Sequence, residues 1–140
     1  MNELKIYSLL FTDTLVSNLV FSTNEEIILN SMKGFGKYNN LKMLASAEIS
    51  AILAISLNYL FGRILYNIFA FSKDSIFHLR YKNFITLISR YSLIFLLLGG
   101  LPFWGKFIIL LAGFCRLNLF KVLLICSFAK LCYYVYLLLF

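Results

Sequence analysis

The sequence predicts an all-α polytopic membrane protein with spanning helices, two re-entrant helical hairpins and an interfacial amphipathic helix. Apolar residues make up 61% of its 140 residues and charged residues only 14%, whereas a soluble domain carries roughly 25% charged residues. A small soluble globule cannot hide so many apolar side chains, because much of its surface must face water. Long apolar stretches that are interrupted by single charges and by Gly-Pro breaks therefore indicate helices that cross or enter a bilayer.

The net charge of +7 does not indicate nucleic-acid binding. The basic residues lie along apolar segments and at their ends, as expected of membrane flanks, and form no solvated run. The three cysteines, Cys115, Cys126 and Cys132, are odd in number and have no CxxC spacing, which argues against a disulfide framework or a zinc site. The sequence contains no Ser-His-Asp set, P-loop or metal-ligand cluster. We therefore expect no enzyme activity, no cofactor and no metal.

The first apolar segment, residues 6–21, is slightly shorter than the ~20 residues of a spanning helix and carries Asp13. An acid near the N-terminus and the lack of a small-x-small cleavage site favour a retained segment over a cleaved signal peptide. The stretch "STNEEIILNSM" then predicts a helix from about Asn24 to Met32, because capping residues precede two carboxylates. A helix this short cannot cross a bilayer, so it either lies on the surface or is re-entrant.

Residues 41–71 are long and apolar enough to predict a spanning helix with tilt, interrupted by Glu48 and Arg63. Arg63 can either bind phosphates bidentately or snorkel to the interface. Asp13 and Glu48 are each able to pair with Lys130 or Arg116 inside the bundle, and the sequence does not choose between these pairings.

The stretch "KDSIFHLRYKNFITLISR" predicts a basic, aromatic helix that lies in the head-group region. One helical face is apolar and carries Phe77, Tyr81, Phe84 and Ile88. The opposite face is polar and carries His78, Lys82, Thr86 and Ser89. A broken apolar segment, residues 91–115, follows, and then a final helix from about Asn118 to Phe140 that contains Lys130. The excess of basic residues between Arg63 and Arg90 places that connection in the cytoplasm by the positive-inside rule.

The break "LGGLPFWGKF" holds the only proline and the only tryptophan of the chain. Pro102 ends a helix, and Gly99, Gly100 and Gly105 permit a sharp reversal, so we predict the tip of a re-entrant hairpin here. The alternative is one kinked spanning helix from Tyr91 to Cys115.

The stretches "GFGKYNNLK" (34–42) and "GFCRLNLFK" (113–121) resemble each other in sequence. Paired short, interrupted segments in two halves are typical of transporters, and chance similarity is the alternative.

Glu25, Glu26 and Lys106 lie near the two breaks. Each ionised group at the centre of a bilayer costs ~2.5–3.5 kcal/mol, so we expect these groups to face each other, water or an ionic ligand. Glu25 is interpreted as an interfacial capping acid and Glu26, one position deeper, as a functional group. Exposed helix N-termini behind the breaks would suit an anion such as a lipid phosphate.

The ordered motifs "NEEIIL", "LFGR", "RY", "LPFWGK", "LLAGFCRLNLF" and "AKLCYY" resemble the DedA superfamily of small membrane proteins with a SNARE-associated (VTT) domain. The likeness is closest to the short YqaA-like branch and runs from about Asp13 to the C-terminus. It implies one membrane-embedded domain over residues 1–140, in the bacterial inner membrane, with several passes. By position, the family's site residues correspond here to Glu26, Gly62, Arg63, Pro102, Gly105, Ala112, Gly113, Arg116 and Lys130.

The resemblance implies movement of phospholipid or polyprenyl-phosphate head groups between leaflets. In this hypothesis the phosphate enters between the two tips, neutralised by Arg63, Arg116 and Lys106, with Glu26 as the gating or proton-binding acid. Lys106 stands where the YqaA-like branch often has an acid, so proton coupling stays open, as does homo-oligomer formation. The alternatives are a non-transporting membrane partner of another protein and a pore-forming assembly. Membrane lipids are the expected partners.

Overall fold

A computed structural model describes residues 3–22, 26–36, 38–70 and 75–140. Within these ranges the chain is helical and contains no strand. The described residues form α1 (Glu3–Asn18), α2 (Ile27–Phe35), α3 (Asn40–Ala70), α4 (Ser75–Arg90), α5 (Ser92–Leu97), α6 (Gly105–Phe114) and α7 (Leu119–Leu139), with a 3-10 turn at Leu98–Gly100. The prediction of an all-α fold is confirmed.

Two helices, α3 with 31 residues and α7 with 21, are long and apolar enough to cross a membrane. Residues 80–90 and 92–100 would count as a third crossing only if they form one broken span, since they are bent by 79° relative to each other. The long helices predicted at residues 41–71 and 118–140 are thus present. The amphipathic helix predicted after them in residues 73–90 is present as α4, although its Phe77 and His78 side chains lie outside the described residues.

Helix α3 is the centre of the fold and packs against α1, α6 and α7. Helix α1 runs parallel to it: the Ser46 hydroxyl donates to the Tyr7 carbonyl at 3.2 Å, and further along the Asn58 amide donates to the Asn18 carbonyl at 2.8 Å. Helix α7 runs antiparallel, because residues at its start pack against the middle of α3 and residues near its end pack against the first turns of α3. Two apolar clusters, one along the first part of α3 and one at its middle, fill the space between these helices.

Helix α6 approaches α3 closely because both helices carry glycine at the crossing. A Cβ added to Gly62 would lie 2.0 Å from the Leu110 carbonyl oxygen, and one added to Gly113 would lie 2.1 Å from the Tyr59 carbonyl oxygen. Neither position has room for a side chain. The backbones of α3 and α6 are therefore in direct contact, which fixes where α6 sits along α3.

The predicted break at residues 98–107 is confirmed. The 3-10 turn ends at Gly100, Leu101 is extended before Pro102 as proline requires, and α6 begins at Gly105. Residues 91–115 form two short helical pieces that pack against each other, with Leu96 and Ile109 in one apolar cluster. They do not form one long kinked helix.

The short helix predicted at residues 24–32 is Ile27–Phe35 in the structure; Asn24 and Glu25 lie outside the described residues. Asp13 of α1 determines how α2 begins, because its carboxylate accepts the backbone N–H of Ile28 at 2.9 Å. This contact satisfies one of the free donors at a helix N-terminus. Asp13 therefore serves α2, and not Lys130 or Arg116, the two partners considered from the sequence.

The two echoed stretches share a helix end and the capping of the helix that follows. Each one ends a short helix at its phenylalanine, α2 at Phe35 and α6 at Phe114, and each leads into a long helix. At equivalent positions, Asn39 accepts the N–H of Leu41 and Asn118 accepts the N–H of Phe120, both at 3.0 Å. The side chain of asparagine at these positions caps the following helix.

Candidate functional site

The carboxylate of Glu26, which immediately precedes α2, is the centre of a buried polar network. Its Oε1 atom accepts the amide of Asn18 at 3.0 Å and the hydroxyl of Tyr134 at 2.8 Å. Glu26 is only 9% exposed, and its Oε2 atom is buried with no hydrogen-bond partner among the described residues. One oxygen of the carboxylate thus accepts two hydrogen bonds, and the other accepts none within the described residues.

Asn18, the last residue of α1, joins an acid to a cation. Its amide nitrogen donates to Glu26 and also to the Thr14 carbonyl at 2.7 Å, while its amide oxygen accepts the Lys130 ammonium. The backbone carbonyl of Asn18 accepts from Asn58 of α3 at 2.8 Å. A single carboxamide, anchored to two helices, thus lies between the two buried charges.

Lys106, the second residue of α6, reaches the end of α1 from the opposite side. It is 4% exposed, and its ammonium donates to the backbone carbonyls of Ser22 and, at 3.4 Å, of Ser17. The same ammonium lies 5.5 Å from the centre of the Phe103 ring, a cation–π contact. Lys106 therefore connects the α5–α6 pair to the segment that links α1 to α2.

Lys130 lies in the middle of α7 and is 2% exposed. Glu26 and Glu48 both attract its ammonium electrostatically, and the ring of Tyr134, one turn further along, has its centre 6.0 Å away. Glu48 of α3 accepts the Ser127 hydroxyl with one oxygen, and its other oxygen is buried without a partner among the described residues. Glu48 therefore belongs to the network through its hydrogen bond with Ser127 and its electrostatic attraction to the Lys130 ammonium.

The network contains two carboxylates and two ammonium groups, so its formal charges cancel. Buried charges persist only when polar partners satisfy them, and both lysines are hydrogen-bonded within the chain, Lys130 to the Asn18 carboxamide and Lys106 to backbone carbonyls. One oxygen each of Glu26 and Glu48 is buried with no partner among the described residues, and each can accept a proton or a hydrogen bond. The described residues contain no group of three or more side chains suited to hold a metal ion.

The structure brings together three of the residues predicted from the sequence: Glu26, Lys106 and Lys130. Gly105 is buried directly beside them, with no room for a Cβ against the Gly99 carbonyl. The others lie apart from the network: Arg63 and Pro102 are exposed, and Arg116 stacks over the ring of Tyr66 at 5.3 Å.

Sequence reasoning missed Asn18 and Tyr134, which connect the charges. A signal was present for each. Thr14, Ser17 and Asn18 have helical i, i+3, i+4 spacing and form a polar patch on one face of an otherwise apolar helix. Tyr134 follows Lys130 by four residues and so lies on the same face of α7.

Replacing Tyr134 with phenylalanine tests the network with minimal change in shape. The variant removes a donor from the buried Glu26 carboxylate, so we expect a loss of about 1–3 kcal/mol in the free energy of unfolding. Tyr136→Phe is the matched control, because Tyr136 is 64% exposed. Denaturant titration in detergent micelles measures both variants. Equal stability of the two variants would contradict a structural contribution of the Tyr134 hydroxyl.

The fold and the network together define a class: an all-helical protein built on two helices long and apolar enough to cross a membrane, with a buried ionic cluster between them. The chain is 43% identical over 134 residues to a protein of Rickettsia prowazekii (strain Madrid E) named uncharacterized protein RP436, and the match covers 96% of this chain and 95% of that protein. The chain belongs to the family of this rickettsial protein. No family model matches the chain, and no solved structure matches it.

Proposed function

We propose that this chain is a lipid translocase of the DedA (VTT domain) type, of the YqaA-like branch, in the bacterial inner membrane. Its cargo is the phosphate head group of a phospholipid or a polyprenyl phosphate. The observation that carries the proposal is the buried Glu26 carboxylate, one oxygen of which has no partner among the described residues, in a network with buried lysines of α6 and α7. Such a cluster supplies cations for a phosphate and an acid that can release it.

The short helices support re-entrant hairpins. Helix α2 has nine residues and α6 has ten, about half of the ~20 that a crossing requires. In the proposal α1 with α2, and α5 with α6, each enter the bilayer and return. Their inner ends meet where Lys106 donates to the carbonyls of Ser17 and Ser22.

The position of Lys130 supports a functional role for the buried charges of the network. It is the twelfth of the 21 residues of α7, so a crossing α7 places its ammonium at mid-depth. An ionised side chain there costs ~2.5–3.5 kcal/mol. Charges at membrane depth are typical of ion and substrate pathways and proton relays, and face a bundle interior or a water-filled cavity.

In the proposed cycle a head-group phosphate takes the place of the backbone and amide oxygens that now accept from Lys106 and Lys130. The open oxygen of Glu26 takes up a proton while the phosphate is bound, because two anions would otherwise repel each other. Loss of that proton restores the carboxylate and expels the phosphate. Arg63, exposed on α3, meets the head group before it enters.

Reconstitution into liposomes tests the proposal. A fluorescent phosphatidylglycerol in both leaflets is quenched from outside, and the rate at which the protected pool becomes accessible reports flipping. We expect wild-type protein to flip faster than empty vesicles and Glu26→Gln to be slower by about tenfold or more, the effect of losing one charged hydrogen-bonding group. Arg63→Ala is expected to reduce the rate as well.

Glu3→Gln is the matched control for Glu26→Gln. Glu3 is an exposed carboxylate of α1 that pairs with the exposed Lys42 at 3.7 Å, so its variant should flip at the wild-type rate. A wild-type rate equal to that of empty vesicles, or equal rates for wild type and both Glu26→Gln and Arg63→Ala, would reject the translocase.

A second candidate is a non-transporting membrane protein that binds another protein. The observation in its favour is that Lys106 and Lys130 already bond to acceptors within the chain, so neither cation requires a ligand. Crosslinking in membranes that gives one stoichiometric partner, together with no lipid flipping, would favour this candidate over the translocase.

A further inference from the structure

A second polar site lies apart from the buried network, where α6 ends and α7 begins. A cavity of about 270 Å³, the corner cavity, opens there between this corner and the α4–α5 junction. Its polar lining residues are Ser89, Ser92, Arg116, Asn118 and Lys121. The residues that line the cavity thus supply two cations, two hydroxyls and an amide but no carboxylate, which is the donor set of an anion site.

The backbone of Arg116 has a conformation that is unusual for a residue with a side chain. Helix α6 ends with the Arg116 N–H bonded to the Gly113 carbonyl at 3.0 Å and the Leu117 N–H bonded to the Ala112 carbonyl at 3.1 Å. In this type of helix end the left-handed residue is usually glycine. Arg116 occupies it with a φ of +55°, the one non-glycine residue with positive φ in the described chain. Such strain is typical of functional positions.

The guanidinium of Arg116 is oriented by an aromatic ring and has no hydrogen bond within the part of the chain that the structure describes. It lies 5.3 Å from the centre of the Tyr66 ring, so one face of the group is covered by an aromatic ring. None of the hydrogen bonds or ion pairs of the described residues involves its N–H groups. Stacking fixes the plane of the guanidinium and leaves its edge available, which suits bidentate binding of phosphate.

The corner cavity lies at the ends of the two helices that can cross a membrane. Tyr66 is four residues before the end of α3, and Lys121 is the third residue of α7. The Tyr81 hydroxyl of the basic helix α4 donates to the Phe114 carbonyl at 2.9 Å and joins α4 to the same corner. Tyrosine, arginine and lysine at helix ends are typical of the head-group layer, and basic pockets between such helices bind phosphate head groups.

We propose that the corner cavity binds the phosphate group of an anionic membrane lipid as a resident ligand. The phosphate accepts from the Arg116 edge and the Lys121 ammonium, and Ser89 and Ser92 bring the α4–α5 junction to the same group. The apolar lining residues, among them Leu96 and Leu117, contact the glycerol and acyl part of the lipid. The bound lipid thereby fastens α4 and α5 to the corner. This inference does not depend on lipid translocation.

Arg116→Gly separates binding from stability. Glycine relieves the left-handed strain, so the variant should fold at least as well as wild type in neutral lipid. Wild type and variant are placed in nanodiscs of phosphatidylcholine with or without phosphatidic acid, and the thermal midpoint and the lipid retained in native mass spectrometry are measured. We expect phosphatidic acid to raise the thermal midpoint of the wild type. The Arg116→Gly variant should retain about tenfold less phosphatidic acid than the wild type, or less still.

The remaining arms of the experiment decide the source of the phosphate and the role of the second cation. Lys121→Gln should reduce the phosphatidic acid effect, while Lys5→Gln, an exposed cation of α1, should keep it. Inorganic phosphate in phosphatidylcholine nanodiscs should leave the midpoint unchanged; a full rise there would overturn a lipid ligand in favour of soluble phosphate. Full retention of phosphatidic acid by Arg116→Gly would overturn the site. Flipping is not measured, so failure of the translocase leaves these outcomes unaffected.

Discussion

Lys130→Met is expected to lower the free energy of unfolding by about 3 kcal/mol, because removal of one partner from a buried charged network leaves the other uncompensated. The Asn18 amide oxygen loses the ammonium that it accepts, and Glu26 loses its nearest buried cation on α7. Methionine fills a similar volume, so the change removes charge and hydrogen bonding rather than packing. Reversible denaturation in detergent micelles measures the loss.

A double variant tests whether the two buried charges interact. Glu26→Gln combined with Lys130→Met removes both charges, and the combination should be more stable than the sum of the two single changes predicts. Lys42→Met, at an exposed lysine with 58% of its side chain accessible, is the control and should change stability little. Strict additivity of the two buried changes would show that Glu26 and Lys130 do not interact.

Gly62→Ala should cost about 3 kcal/mol, at the upper end for an overpacked site. The added Cβ would lie 2.0 Å from the Leu110 carbonyl oxygen and 2.8 Å from the Phe114 nitrogen. Both are backbone atoms of α6 and have no rotamer by which to move aside, so the two helices must separate. We expect a lower thermal midpoint and exposure of the apolar residues between α3 and α6.

Gly34→Ala provides the matched control, since nothing lies within 4 Å of a Cβ at that position. Gly34 is inside α2, where alanine is more favourable than glycine by about 1 kcal/mol. The same substitution should therefore stabilise at residue 34 and destabilise at residue 62. Unchanged or higher stability of Gly62→Ala would contradict the close contact between α3 and α6, and a loss with Gly34→Ala would contradict the free space at residue 34.

The resident lipid inferred at the corner cavity and the translocation proposed for the buried network use different cations. Lys106 and Lys130 are buried at the centre, whereas Arg116 and Lys121 are exposed at the corner. The hypothesis from the sequence combined Arg116 and Lys106 in one phosphate site, because spacing along the chain does not give distance in space. The fold places them apart, so the two proposals can be tested separately.

Several elements were predicted correctly because they depend on local signals. The break at Pro102 follows from the missing N–H of proline and the neighbouring glycines, and α4 follows from its 3.6-residue periodicity. The start of α2 was less well predicted. A backbone N–H of its first turn, that of Ile28, donates to Asp13, which lies fourteen residues before Ile27 in the sequence. When the capping residue belongs to another helix, the sequence next to the capped helix contains no signal of it.

Composition and periodicity alone determined that the chain is helical, that it is built for an apolar environment, and that Glu26, Lys106 and Lys130 are costly groups in need of partners. These properties depend on residue type and on near neighbours in the chain. Only the tertiary structure decided which partners they have: Asn18 between Glu26 and Lys130, the carbonyls of Ser17 and Ser22 for Lys106, and Tyr66 beneath Arg116. The reason is physical. Pairing depends on which helices pack together and how closely, and these contacts join residues far apart in the chain, as Gly62 of α3 and Leu110 of α6 do.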